Sequence, residues 1–192
     1  MGSELLIALY SPFPQSGKST FASFLTEYLP NSKIISFADP MREALVPWVG
    51  ELMSGGEGEV LEWLSDERKD SALIPRIGVT LRHMLRTLGT EYGRKHVHPD
   101  LWVYIAQERI RKALSSGRSV IVDDLRMENE YALLKRKGAM MVKIVKPGSR
   151  DVEHESDAAL EALPFDKVVM NDGTVEDLQM KAMALGKWGG GA

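Results

Sequence analysis

The sequence contains no cysteine, which excludes disulfides, thiolate metal ligands and a cysteine nucleophile together. A reducing, cytoplasmic setting fits that absence. Positive charge is not in excess either, since 24 Lys and Arg face 27 Asp and Glu for a net charge of −3. Proteins that track nucleic-acid backbones carry a basic surplus or a basic face, so no nucleic-acid polymer is expected as a partner. No apolar run approaches the ~20 residues of a membrane-spanning helix, and no basic segment with a small-residue cleavage site opens the chain, so neither a membrane span nor a signal peptide is expected. What is present is a globular balance: 44% hydrophobic and 27% charged residues over a length of 192. That length suits one domain burying roughly 70% of its unfolded surface. Residues 1–3, and a flexible tail at 188–192, are set apart from the fold.

Hydrophobic patterning alternates between strand and helix. Residues 5–10 form a continuous apolar run, as a strand buried on both faces requires. Phe21, Ala22, Phe24, Leu25, Tyr28 and Leu29 then recur at helical spacing until Pro30. Further strands are expected at 33–37, 119–122, 140–145 and 167–170. Helices are expected at 41–46 (broken by Pro47), 80–88 (stopped by Gly89), 100–114, 128–137 and 175–185. The glycine-rich stretch 54–59 reads as a mobile connection. Strands alternating with helices imply an α/β fold, a mainly parallel sheet with helices on both faces and ligands at the carboxyl ends of the strands.

The sharpest local signal lies between the first strand and first helix, where Gln15 is followed by Ser16, Gly17, Lys18, Ser19 and Thr20. This is the second half of a P-loop, G-x-x-x-x-G-K-[ST], in the strand-turn-helix context it needs. Backbone N–H groups and the helix N-terminus can cradle phosphate oxygens, Lys18 supplies a point charge and the Ser19 hydroxyl can ligate Mg²⁺. Pro12 replaces the first glycine and Pro14 follows; both precede the donors expected around phosphate, so the cradle should survive.

A second signal follows the third strand, in Asp123, Asp124, Leu125 and Arg126. A strand-end acid can hold Mg²⁺ or its water, while Arg126 can reach a phosphate; an ordinary helix-capping turn is the alternative. Asp39 lies just past the second strand and either caps a helix begun by Pro40 or faces the same edge as Lys18. Arg82 and Arg86 share one helical face, where two cations repel unless an anion joins them. His96, His98 and Asp100 form no convincing metal set. Lys146 through Arg150 opens a polar, lid-like segment extending past His154 and Asp157.

In order, these motifs resemble the deoxynucleoside monophosphate kinases of bacteriophages, within the P-loop nucleoside monophosphate kinase group. The resemblance rests on the P-loop, Phe37-Ala38-Asp39-Pro40, Arg82, Leu88-Gly89-Thr90-Glu91, Arg94 and His98-Pro99-Asp100-Leu101-Trp102-Val103. It continues through Asp124-Leu125-Arg126, Asn129-Glu130, Val145-Lys146-Pro147-Gly148, His154-Glu155-Ser156-Asp157 and Asn171-Asp172-Gly173-Thr174. It implies a P-loop kinase fold over residues 1–187, with an acceptor-binding region at about 40–105 and a lid-like segment at about 146–160. The implied activity is ATP γ-phosphoryl transfer to a deoxynucleoside monophosphate, with Mg²⁺. By similarity, Gln15 through Thr20 hold the donor phosphates, with Asn171 beside the adenine. Asp39, Arg42, Arg82 and Trp102 line the acceptor site, and Arg126 with Asp124 sits between. Lys146 and Arg150 belong to the lid, and Ser19 with Asp124, or alternatively Asp123, serves the metal. The partners implied are ATP and the acceptor nucleotide, and a homodimer is compatible with the sequence without being specified by it. The rivals are a P-loop kinase for another small acceptor, such as dephospho-coenzyme A, and a nucleotide-binding module without turnover.

Overall fold

Leu6–Tyr10 forms strand β1 at the centre of an all-parallel sheet in a computed structural model, which describes residues 4–13, 15–148 and 160–189. The other strands are β2 (Ser32–Ile35), β3 (Ser119–Val122), β4 (Met140–Val145) and β5 (Lys167–Met170), in the spatial order β2-β3-β1-β4-β5. Ile7 lies opposite Ile121 on one side and Met140 on the other. Every residue of β1 is buried, which is why its sequence is apolar without alternation. Ile7 and Leu9 pack with Ile121, Val142 and Ile144 against Phe21, Ala22 and Leu25 of α1 (Lys18–Tyr28) and Leu178 and Ala182 of α8 (Val175–Gly189). Leu6, Ala8 and Tyr10, pointing the other way, are buried as well. Because the strands are parallel, the loops that follow all of them emerge at one edge.

The chain divides into two compact units, one formed by Met1–Phe37 with Ala106–Ala192 and the other by Ala38–Ile105. The first holds the sheet. The second is helical: α2 (Asp39–Gly50), α3 (Gly56–Ser65), α4 (Arg68–Ser71), α5 (Leu81–Arg86), a π-helical stretch Thr87–Val97, and the start of α6 (Leu101–Ser115). Leu45, Val46, Val49, Met53, Val60, Ile74 and Leu81 are its buried core. Helix α7 (Glu128–Arg136) follows β3 in the first unit.

Three expectations from the sequence need correction. Residues 54–59 are not a loose connection, because α3 begins at Gly56; Val60, Trp63 and Leu64 recur at helical spacing and pack on the core, and that burial outweighs the glycines' backbone entropy. Pro47 does not break its helix, since α2 continues to Gly50 with Leu45, Val46 and Val49 buried on either side of it. Gly89 does not stop the helix before it: it is not among the glycines with positive φ, and α5 passes into the π-helical stretch, where Gly89 and Gly93 admit neighbouring side chains. At the end of the chain, α8 takes in positions 188 and 189 of the expected tail, and 190–192 lie outside the described residues. No helix of the described residues is long and apolar enough to cross a membrane.

Candidate active site

Tyr10 ends β1, and the chain reaches Lys18, the first residue of α1, through a loop with two left-handed residues, Gln15 at φ 55° and Gly17 at φ 88°. At Gly17 the requirement is double. The positive φ disfavours any Cβ, and a Cβ there would lie 2.5 Å from Asn171 Nδ2 and 3.2 Å from Leu178 Cδ2. Asn171 itself braces the loop, its Nδ2 donating to the Ser16 carbonyl at 2.9 Å while its backbone N–H donates to Val145 O at 2.7 Å. Ser16 is buried, whereas Ser19 and Thr20 are exposed. Helix α1 has neither an acidic side chain in its first turn nor a side-chain cap. Its first N–H groups and the positive end of its dipole are thus left to an anion, with Lys18 beside them. Ahead of the cradle, Ser11 Oγ exchanges hydrogen bonds with the Phe13 backbone at 3.3 Å, and Pro12 is buried. Pro14 lies outside the described residues.

Beyond β3, Asp123 and Asp124 fasten the neighbouring strand end: Ser36 Oγ donates to Asp123 Oδ1 at 2.6 Å and Phe37 N–H donates to Asp124 Oδ1 at 2.8 Å. The two carboxylates therefore hold defined orientations at the edge where the P-loop emerges. The Arg126 side chain is exposed, but its backbone is not loose. Glu130 is 2% exposed, and its Oε2 accepts from the N–H of Arg126 at 2.9 Å and of Met127 at 3.1 Å. Glu130 is a positioning residue the motif reading did not assign a role; its place three residues past the Met127 N-cap is the signal, that of an acid reaching back to satisfy helix-start amides. After β4, Lys146 is exposed; Arg150, His154 and Asp157 lie outside the described residues.

The helical unit holds the remaining candidates. Asp39 begins α2, and its Oδ1 accepts from Arg42 Nη1 at 3.1 Å. Arg82 Nε donates to Asp70 Oδ1 at 2.6 Å, so an acid from α4 stands where helical spacing offers none. That bond, before any other cause, holds the Asp70 carboxyl below its ordinary pKa. Trp102 is 6% exposed, with Nε1 donating to the Gly89 carbonyl at 2.8 Å. Its ring lies over Gly93, where a Cβ would sit 2.5 Å from Cζ2, and a Cβ at Gly89 would sit 2.6 Å from Met41 Sδ. Tyr104 is exposed. His96 Nδ1 meets the Glu91 carbonyl at 2.6 Å, and His98 Nδ1 accepts from the Asp100 N–H at 3.0 Å.

A parallel sheet of order β2-β3-β1-β4-β5 with a P-loop after its central strand and acids at the end of the next defines a P-loop phosphotransferase. The fold is shared with the dephospho-CoA kinase from Campylobacter jejuni, at a TM-score of 0.55 and 15% identity over 97% of this chain and 98% of that one. Residues 65–182 match the family model of deoxynucleotide monophosphate kinases, and the chain belongs to that family. Among its relatives, a putative deoxynucleotide monophosphate kinase of Acanthamoeba polyphaga mimivirus is 28% identical over 173 residues, 84% of this chain and 86% of the relative. The deoxynucleotide monophosphate kinase of Enterobacteria phage T4 is 29% identical over 104 residues, 53% of this chain and 43% of the phage protein.

Proposed function

We propose that the protein transfers the γ-phosphoryl group of ATP to a deoxynucleoside 5′-monophosphate, giving the diphosphate and ADP. The observation that supports this most is the uncapped, acid-free start of α1 beside Lys18, in a chain of this family. In this reading residues 1–187 act as one kinase of the cytoplasm, with the helical unit serving the acceptor. The N–H groups of residues 15–20 and Lys18 hold the donor phosphates, with Asn171 bracing the loop near the adenine. Arg42 and Arg82 bind the acceptor's phosphate, Asp39 orients Arg42, and Trp102 shapes the acceptor region by supporting the π-helical stretch. Arg126, its backbone fixed by Glu130, neutralises charge on the transferring group, and Lys146 and Arg150 are the cations of the expected lid segment.

An acceptor phosphate oxygen attacks the γ-phosphorus, the bond to the β,γ-bridging oxygen breaks, and ADP leaves with that electron pair. Little covalent work falls to the protein, whose side chains align two anions and balance charge on the equatorial oxygens. The residues present fit Mg²⁺: the candidate donors are hard oxygens, the Ser19 hydroxyl and Asp124, or Asp123 in its place, both acids already held by Ser36 and Phe37 just past β2. Bound with ATP, the ion would offset charge on the β- and γ-phosphates.

The test is ADP release coupled to a spectrophotometric readout, across the common deoxynucleoside monophosphates and dephospho-coenzyme A. Turnover with one or more deoxynucleotides is expected. Turnover with dephospho-coenzyme A alone, or ATP binding without transfer to any acceptor, would overturn the reading.

A further inference from the structure

The turn between β5 and α8 is fastened at several points. Asn171 ties it to two other segments: its N–H donates to Val145 O at 2.7 Å, at the end of β4, and its Nδ2 donates to the Ser16 carbonyl at 2.9 Å, in the phosphate loop. Lys181, in the second turn of α8, reaches back to the same place, its Nζ donating to the Met170 carbonyl at 2.5 Å and to Asp172 Oδ1 at 2.9 Å. Those two acceptors flank Asn171 in sequence, so one ammonium clasps the chain on either side of it. The Lys181 bond, before any other cause, holds the Asp172 carboxyl below its ordinary pKa. Thr174 and Asp177 close the far end of the turn, the Thr174 N–H donating to Asp177 Oδ2 at 2.8 Å and the Asp177 N–H to Thr174 Oγ1 at 3.2 Å. Leu178, three residues before Lys181 and so a neighbour on the helix surface, is buried, and a Cβ at Gly17 would lie 3.2 Å from its Cδ2.

We propose that Asn171 sets the orientation of the peptide joining Ser16 to Gly17, and that Lys181 is a positioning residue that acts on the donor phosphates through Asn171. The inference rests on the reading of this loop as the ATP site and deepens it. In a planar trans peptide the C=O and N–H point to opposite sides, so holding the Ser16 carbonyl on Asn171 turns the Gly17 N–H away from Asn171. In the proposed function that N–H is one of the donors to phosphate. Gly17 makes such a hold necessary, because glycine takes φ of either sign at little cost and its φ of 88° is only one of the states open to it. A rotated peptide would set a carbonyl where the phosphate needs a donor. The Lys181 and Asp172 side chains are 38% and 53% exposed, so their ion pair adds little to the stability of the whole fold. Its effect is local: it restricts the chain on both sides of Asn171, and with it the direction of the Asn171 amide.

The experiment is a double-mutant cycle in the full chain, read by calorimetric titration with ATP and Mg²⁺ and by the KM of the deoxynucleotide acceptor. Asn171→Ala should weaken ATP affinity about tenfold and Lys181→Met about threefold, the range one hydrogen bond spans, and neither should move the acceptor KM. The double variant should bind ATP no more weakly than Asn171→Ala alone, as a residue acting through another requires. Lys181→Arg, which can still donate to both acceptors, should restore most of the loss, and Asp172→Asn, which loosens the same clasp from the other side, should weaken ATP binding about twofold. Losses that add in the double variant would give Lys181 a role independent of Asn171 and overturn the proposal. Parent-like ATP affinity in Lys181→Met, or equal losses toward ATP and the acceptor, would overturn it too, and full ATP affinity in Asn171→Ala would remove the orienting role of that amide. If the parent binds ATP and phosphorylates no deoxynucleotide, the kinase reading falls while the cycle in ATP affinity still decides the role of Lys181. A parent that binds no ATP would overturn both.

Discussion

Gly17 and Lys18 divide the labour of the phosphate loop between geometry and charge. Gly17 lets the backbone turn left-handed against Asn171, and in the proposed kinase Lys18, the first residue of α1, contributes its charge. Gly17→Ala should therefore weaken ATP binding by forcing both the turn and Asn171 out of place, whereas Lys18→Ala should preserve the fold and cost on the order of 10²-fold or more in kcat/KM. Steady-state kinetics paired with ATP titrations separate the two, and near-parent turnover in Lys18→Ala would defeat the phosphate-loop assignment. Pro12→Gly should leave ATP affinity within a few-fold, because that residue precedes the donors. These residues were legible from the sequence, since a G-K-S between strand and helix dictates its own backbone chemistry. Asp70 was not, because its partner lies twelve positions away at no helical period, across the turn that the Leu73 and Thr80 bridge closes.

At the scale of elements, the π-helical stretch is where local pattern misleads. Residues 80–88 read as a helix stopped by Gly89, yet the helix runs on into Thr87–Val97, where Gly89 and Gly93 admit Met41 and the Trp102 indole. Trp102→Phe shrinks the ring packed on Gly93 and leaves the Gly89 carbonyl without its donor, so a loss of about 1–3 kcal/mol in stability is expected. The acceptor KM should also rise more than the ATP KM; equal changes in both would reduce Trp102 to a packing residue. Strand β1 was legible because burial on both faces makes its sequence a continuous apolar run. By contrast α3 hid behind glycines whose cost only its packed face reveals. A second element is held by charge: Asp166 accepts from Lys135 at 2.9 Å and from the Met141 N–H at 2.8 Å, tying the approach to β5 onto α7 and β4. The Lys135 bond, then the backbone bond, lowers its folded pKa below 3.8. A depressed carboxyl contributes stability that is fully present above the ordinary value and is lost as pH falls through the folded one. Asp166→Asn should thus be less stable than the parent at neutral pH, with the gap closing as pH drops below 3.8 in chemical denaturation series.

For the whole molecule, the proposed function gives the two ligands to different units, each with its own core. The sheet unit buries β1 completely and places the phosphate loop directly on it. The helical unit rests on a smaller core and exposes Leu61, Leu73, Ile77 and Tyr92 around it, and α4 contributes no buried residue. Native-state hydrogen exchange should therefore rank amides of β1, β3 and β4 as the slowest and those of α4 among the fastest. A ligand that binds only the native state raises the opening free energy by RT ln(1 + [L]/Kd), about 2.7 kcal/mol at a hundredfold excess over Kd. A non-hydrolysable ATP analogue alone should slow exchange at the start of α1 and in the loop before it, with little effect on α4 and α5. The deoxynucleotide alone should slow α5, because its phosphate would be bound by Arg82, and should leave α1 as it was. In Arg82→Ala the second pattern should fade while the first persists. Protection of α5 by the ATP analogue in place of the deoxynucleotide would mean that Arg82 serves the donor, and the division of labour between the units would have to be reversed.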